Sequence, residues 1–450
     1  MISKKLKSDE YGSSAATSLK LIARALQYRN YRLFFGGQSI SLIGTWMTRI
    51  ATSWLVYRLT NSVFLLGVVG FSGQIPTFLV ASFAGVLTDR WNRHHILVVT
   101  QILAMIQSFA LAILTLTGII TVWHIILLSI FQGLINAFDM PARQSLVVEM
   151  VEKREDLGNA IALNSSMFNG ARLLGPSIAG ILISAVGEGM CFLLDGISYL
   201  AVIASLLAMK ITPRKTETPK SNVLQGLKEG FSYAFPFAPI RSILLLIGVV
   251  SLVGMPYTVL MPVFAKEILR GGPHTLGFLM GASGIGALVG AIYLASRKSV
   301  LGLGRIIPLA ASIFGIGLIA FSLSRVLWLS LAMMLLTGFG MMVQMASSNT
   351  VLQTIVDDDK RGRVMSFYTM AFMGTAPFGS LLAGGLASRI GAPNTLMIGG
   401  VCCILGSFIF ASKLSILREM VRPIYVRMGI IPEVAKGIQT ATELTAPPKG

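Results

Sequence analysis

Apolar stretches of about 20 residues recur along this chain from end to end, and about 20 is the length a helix needs to cross a bilayer core of about 30 Å. Barrel strands would be half as long and alternate in polarity; these stretches are unbroken and rich in Gly, Leu and Ile. Helices satisfy every backbone group internally, so they are the spanning solution. Breaks at charge clusters and at Gly, Pro and Asn turns predict twelve spans: 33–57, 64–87, 95–117, 122–146, 160–186, 189–209, 240–265, 274–296, 304–324, 326–352, 364–388 and 394–412. Composition agrees, because only 12% of the 450 residues are charged, about half the share of a soluble domain. The expected class is an all-α membrane protein.

The net charge of +18 is explained by its placement. With both termini inside, 30 of the 37 Lys and Arg fall in cytoplasmic segments. Five lie outside (Arg58, Lys266, Arg270, Arg325, Arg389), and Arg49 and Arg172 lie within spans. This is the positive-inside pattern, and it requires an even number of spans. Basic charge here encodes orientation and contact with anionic lipid, so no nucleic-acid partner is expected. The start, MISKKLKSDE, has no apolar core or cleavage site, so no signal peptide is predicted. Leu19, Ile22 and Leu26, among Lys20, Arg24 and Arg29, predict an interfacial helix. Cys191, Cys402 and Cys403 all fall inside spans and are read as packing residues.

Six spans precede a polar stretch and six follow it. The expected organisation is therefore an N-terminal segment (1–32), a first six-helix half (33–209), a cytoplasmic linker (210–239), a second half (240–412) and a cytoplasmic tail (413–450). A shift of 205 residues lays Met140, Val151, Gly180 and Gly85 on Met345, Val356, Gly385 and Gly290. Two halves related by an axis along the membrane normal are a hallmark of secondary transporters with a substrate site between the halves.

Gly85-Val86-Leu87-Thr88-Asp89-Arg90-Trp91-Asn92-Arg93-His94 resembles the loop 2–3 signature of the major facilitator superfamily, Gly-x-Leu-x-Asp-Arg-x-Gly-Arg-Arg/Lys. Gly85, Leu87, Asp89, Arg90 and Arg93 match; Asn92 replaces a glycine, a position where Asn is expected for its tolerance of the left-handed region, and His94 replaces a basic residue. Ala171 to Gly180, with Gly175 and Pro176, resembles the Gly-Pro motif of the superfamily's exporters, where small residues allow close helix approach. A third motif, Arg-x-x-Gln-Gly, keeps only Gln132-Gly133, with Ser129 in place of the arginine. Tyr31 to Gln38, Arg154-Glu155-Asp156-Leu157 before Asn159-Ala160, and Leu352-Gln353-Thr354 before Gly362-Arg363 resemble the branch of the enterobactin exporter and macrolide-efflux proteins, the transmembrane secretion effectors.

The resemblance implies the major facilitator fold and a conformational gate at Gly85, Asp89, Arg90 and Arg93, with Asp89 holding the halves together near the start of the eleventh span. The alternative is that these charges only mark a cytoplasmic loop. Arg49, Asp139, Arg172 and Asp195 are ionisable groups within spans, each needing a partner or a wet cavity. Arg49 and Asp195 fall at similar depth and either pair as a structural bridge or meet substrate. Asp139 and Arg143 form an i,i+4 pair, a gate or a structural lock. Arg172 either meets an anionic substrate group or a switching partner, or is simply packed. Asp139 and Asp195 are the carboxylates that proton coupling would use, since the second half's spans contain none. Gln38, Gln74, Gln132, Asn136, Asn164, Asn169, Gln344, Asn349 and Gln353 are candidate cavity residues or interhelical contacts, and the methionines 333, 334, 341, 342 and 345 suit either an adaptable apolar surface or, more commonly, lipid-facing packing.

No Gly-x4-Gly-Lys-Ser/Thr phosphate loop is present, and neither the four histidines nor the cysteines have metal-ligand spacing, so no cofactor or metal is expected and transport would be driven by a gradient. By resemblance the chain is no enzyme but a secondary exporter of an amphipathic small molecule at the bacterial inner membrane, by alternating access and proton antiport. The other readings are a lipid or metabolite carrier of the same fold, and a non-transporting sensor or assembly component.

Overall fold

The computed structural model describes residues 24–210, 223–297 and 299–431. Leu19 and Ile22 of the expected interfacial helix lie outside the described residues, as do 211–222 of the linker and 432–450 of the tail. Twelve long helical rods follow one another: α1 Arg29–Thr60, α2 Val63–Arg90, α3 Arg93–Leu116, α4 Val122–Met150, α5 Arg154–Val186, α6 Glu188–Leu207, α7 Ala238–Ile268, α8 Pro273–Ala295, α9 Leu303–Leu323, α10 Leu327–Ile355, α11 Arg361–Ile390 and α12 Ala392–Ser412. A linker helix, Val223–Ala234, precedes α7 and a tail helix, Leu414–Arg427, follows α12.

Eleven of these rods are long and apolar enough to cross a membrane, one fewer than the sequence predicts. The exception is α1, which has the length, 32 residues, but spends it on four arginines and many Ser, Thr, Gly and Gln residues. It tolerates them because its long sides pack against α5 and α6.

The contacts repeat with an offset of six helices. In the first half α2 packs on α4, α3 on α4 and α6, and α1 on α6; in the second, α8 packs on α10, α9 on α10 and α12, and α7 on α12. Details repeat as well. Gly187 and Gly391 each end a helix at positive φ (84° and 85°), where a side chain would be strained, and each starts the next helix. Trp123 and Trp328 open α4 and α10 and are 69% and 79% exposed, as an aromatic belt at a membrane interface would be. This is the pseudo-symmetric, two-half architecture expected.

Between the halves, α5 meets α8 and α2 meets α11. Glycines permit both seams. At Gly180 a Cβ would stand 2.7 Å from the Pro273 carbonyl oxygen and 3.0 Å from Gly277 Cα; at Gly67 it would stand 2.7 Å from the Ser380 carbonyl oxygen and 2.9 Å from Gly384 Cα. The exporter-like motif is therefore half of one seam. α7 and α11 are interrupted by π turns at Val250–Gly254, Phe264–Ile268 and Met370–Gly374, the irregular backbone that neighbouring helices can support in a bundle.

Candidate functional site

The end of the bundle where α1 begins and α12 ends is called the near end, and the opposite one the far end. At the far end the halves are joined by polar contacts. The Tyr57 hydroxyl donates to Glu267, and Lys266 Nζ donates to Asn61 Oδ1 at 2.7 Å while lying 5.2 Å from the Tyr57 ring centre. Midway, Gln74 Nε2 donates to Ser380 Oγ at 3.4 Å, and Phe378 meets Phe71 and Phe78 edge-on at 6.0 and 6.3 Å. At the near end Arg93 pairs with Glu149 in the first half, while Tyr233 and Glu229 of the linker helix meet Asp357 and Arg363 of the second.

The loop 2–3 signature sits at the near end. Gly85 has open space where a Cβ would point. Arg93 pairs with Glu149 at the end of α4, inside its own half. The backbone of Asp89 and Arg90 ends α2, while their side chains lie outside the described set. Asn92 is not left-handed: at φ −67° it caps α3, accepting from the His94 and His95 backbone amides at 3.0 and 3.3 Å. A helix cap, not αL tolerance, explains asparagine there. His94 Nε2 lies 2.8 Å from the Leu206 carbonyl oxygen on α6.

Of the span-embedded charges, the Asp139–Arg143 pair forms as expected. Asp139 also accepts from Gln101 Nε2 at 2.7 Å and Thr100 Oγ1 at 3.0 Å, so the whole cluster is internal to α3 and α4. The Arg49–Asp195 bridge does not form. Asp195, 1% exposed, accepts from Thr48 Oγ1 at 2.8 Å and Ser108 Oγ at 2.9 Å, and its Oδ1 has no donor. Arg49 is the neighbour of Thr48 in sequence, about 100° further round the helix, and turns instead to Trp46, its guanidinium carbon 4.9 Å from the ring centre. Arg172 reaches the same ring at 6.0 Å and approaches Met341 Sδ of α10 at 3.7 Å. Gly175 makes this possible, since a Cβ there would stand 2.5 Å from Trp46 Cβ.

The candidate polar residues divide. Gln38 is buried (3% exposed), away from any opening. Gln344 is buried beside Ser348, and Gln132 donates to Asn136 at 3.2 Å; each leaves its Oε1 unpaired. Asn164 accepts from the Tyr31 hydroxyl at 3.2 Å. Asn169 donates to the Ser165 carbonyl and Gln353 to Asn349, within their own helices. Met334 and Met341 are buried rather than lipid-facing, because they point from α10 into the protein. Sequence reasoning missed Trp46, Tyr57 and Glu267. Glu267 was placed beyond a seventh span ending at 265, but α7 runs to Ile268, so the second half does carry an acid in a spanning helix. Trp46 carries a signal in its spacing: it lies three residues before Arg49, one turn away.

Known proteins agree with this architecture. The chain is 25% identical over 381 residues to the staphyloferrin A transporter of Staphylococcus aureus, covering 84% of this chain and 95% of that one. It is 22% identical over 391 residues to macrolide efflux protein A of Streptococcus pyogenes, with the same coverage. A crystal structure of a bacterial homologue of the human lysosomal transporter Spinster, inward-facing and occupied, superimposes with a TM-score of 0.67 at 14% identity, over 87% of this chain and 97% of that one. The sequence pattern of the transmembrane secretion effector family matches residues 24–422, and with nearly the whole described chain inside that match, the protein belongs to this family of major facilitator transporters.

Proposed function

We propose that the chain exports amphipathic small molecules of the drug or siderophore kind across the bacterial inner membrane by alternating access, in exchange for protons. The observation that carries this reading is the set of side-chain bonds that join the halves at the far end, Tyr57 to Glu267 and Lys266 to Asn61. With both termini cytoplasmic, as the basic loops require, the near end is the inner one and substrate enters there. The gate of this reading is Gly85, Asp89, Arg90 and Arg93 at that end. Relatives named for a siderophore and for macrolides support the substrate class.

Asp195 is the carboxylate that carries the proton, and Asp139 is not. Neutralising Asp139 would leave the Arg143 cation buried without its anion. Asp195 has no cation partner; its two hydroxyl partners, both at Oδ2, can donate to a carboxylate or accept from a carboxylic acid, while Oδ1 has no donor to hold a charge, which favours uptake of a proton. The titratable groups nearest it are Tyr199 and Cys191 on its own helix, with Glu188 beyond Cys191. α3 faces it with Ser108, and α1 with Thr48, Gly44 and, turned away, Arg49.

Efflux into inverted vesicles, measured across a compound panel with and without a proton gradient, tests the reading. The wild type should accumulate amphipathic compounds only with the gradient. Asp195→Asn should bind them but ignore the gradient. Gradient-driven accumulation by Asp195→Asn would refute the proton assignment, and no accumulation of any compound by the wild type would refute export.

A further inference from the structure

We propose that Arg49 and Arg172, both held within 6.0 Å of the centre of the Trp46 ring, form a binding subsite for a small organic anion bearing two or more carboxylates. The proposal rests on the export reading only for its purpose; the site itself is argued from geometry. The two guanidinium groups come from different helices, yet both lie within 6.0 Å of the centre of one indole ring. Packing imposes this. Gly175 lets α5 close on α1 against Trp46, and Phe168 meets the same ring edge-on at 5.8 Å. Two like charges are therefore fixed near each other by apolar contacts that have no need of them.

Neither arginine has an acid of its own among the described residues. The nearby carboxylates are committed elsewhere: Asp195 to Thr48 and Ser108, Asp139 to Arg143, and Glu188 to Arg58. The polar contact of Arg172 is a thioether, Met341 Sδ at 3.7 Å, which is a weak acceptor. Arg49 is exposed and Arg172 half-buried, so the first guanidinium is open to a ligand from solution.

Arg172 is half-buried; such a cation in a bilayer-spanning protein costs several kcal/mol unless paired, and an aromatic face returns only about 0.5–2 kcal/mol of that. The missing partner is an anion from solution. A guanidinium presents a planar fork that matches a carboxylate with two parallel hydrogen bonds. Two forks beside one ring suit a ligand with two carboxylates on a short frame, while Trp46 and Phe168 offer an apolar surface to the rest of it.

The test is equilibrium binding of citrate, a tricarboxylate, to the purified full-length chain in detergent, with inorganic phosphate at matched ionic strength as the comparison. Citrate should bind and raise the melting temperature; phosphate should bind at least about ten-fold more weakly. Arg49→Gln and Arg172→Gln should each weaken citrate binding by about ten-fold or more, the loss expected for a charge-assisted contact. Arg172→Lys, which keeps the charge and loses the fork, should fall between. Without ligand the two glutamine variants should melt no lower than the wild type, since each removes an uncompensated charge. Citrate binding indifferent to both substitutions, phosphate binding as tightly as citrate, or glutamine variants that melt lower without ligand would each overturn the proposal. Arginine-dependent citrate binding in a protein that fails the vesicle assay would uphold the subsite and sink the export reading.

Discussion

Replacing Gly180 by alanine should drive the far end apart. The added Cβ would stand 2.7 Å from the Pro273 carbonyl oxygen and 3.0 Å from both Gly277 Cα and His274 Cα. All three are backbone atoms of α8, so no side chain can swing aside. Non-bonded heavy atoms rest at about 3.5–4.0 Å, and α5 and α8 must therefore separate by about 0.5–1 Å at the seam. Overpacking of this kind costs about 1–3 kcal/mol, and it acts only in the state where the seam is closed. A bias of about 2 kcal/mol displaces a two-state equilibrium by about thirty-fold. Intrinsic helix propensity works the other way, since alanine is favoured over glycine by about 1 kcal/mol, so destabilisation of the closed seam isolates the contact. Pulsed electron resonance between spin labels at Ile119 and Val326, exposed at the far ends of the first and second halves, would read the change as a shift to longer distances. Gly85→Ala is the control, because its Cβ meets nothing within 4 Å. Wild-type distances in Gly180→Ala, or a far end opened by Gly85→Ala, would refute the assignment of the seam.

Tyr57→Phe removes the hydroxyl that donates to Glu267 across the halves. A hydrogen bond to a charged group is worth about 1.5–3 kcal/mol, less here because Glu267 is exposed, so the same label pair should move in the same direction by about ten-fold in population. Asp139→Asn leaves Arg143 without its anion. Breaking a buried pair costs about 3–5 kcal/mol, toward the lower figure here because the Arg143 side chain is 27% exposed; thermal unfolding should show the loss, and adding Arg143→Gln should recover part of it. An Asp139→Asn protein as stable as the wild type would mean that the pair is no structural lock.

The fold was legible because its determinants are local and periodic. Apolar runs, turn residues and the distribution of Lys and Arg fix the number and direction of helices to within the single case of α1. That helix is less apolar than the others because its polar residues meet α5 and α6 rather than lipid. The Asp139–Arg143 pair was equally legible, since i,i+4 spacing on one helix fixes the neighbours. The Arg49–Asp195 pairing failed because depth in the membrane says nothing about azimuth. Thr48 and Arg49 are adjacent in sequence but point about 100° apart, and Thr48 is the one that meets Asp195. The far-end contacts were illegible for a related reason. Tyr57 and Glu267 are 210 positions apart, and only the packing of α1 on α7 brings them together.

The two halves share their packing but divide the chemistry, and the division follows from which side chains each interface needs. The first half carries the buried acids Asp139 and Asp195 and the cations Arg143, Arg49 and Arg172, the two acids neutralised or hydrogen-bonded within that half. The second half presents to the seams the glycines 277, 281, 284 and 384, with Ser380 and Met341. A surface of small and polarizable groups makes no directional demand on its partner and can slide or tilt against it with little loss. The described cross-half hydrogen bonds include Tyr57–Glu267 and Asn61–Lys266 at the far end, Ser184–His274 at the start of α8 and Gln74–Ser380 midway. On the proposed antiport, charge on Glu267 bears on the far-end contact and a proton at Asp195 acts within the first half. α1 joins the two, since it carries Thr48 to Asp195, Arg49 to Trp46 and Tyr57 to Glu267. A small rotation of α1 would alter these contacts together, so on that proposal this helix links the proton to movement of the halves.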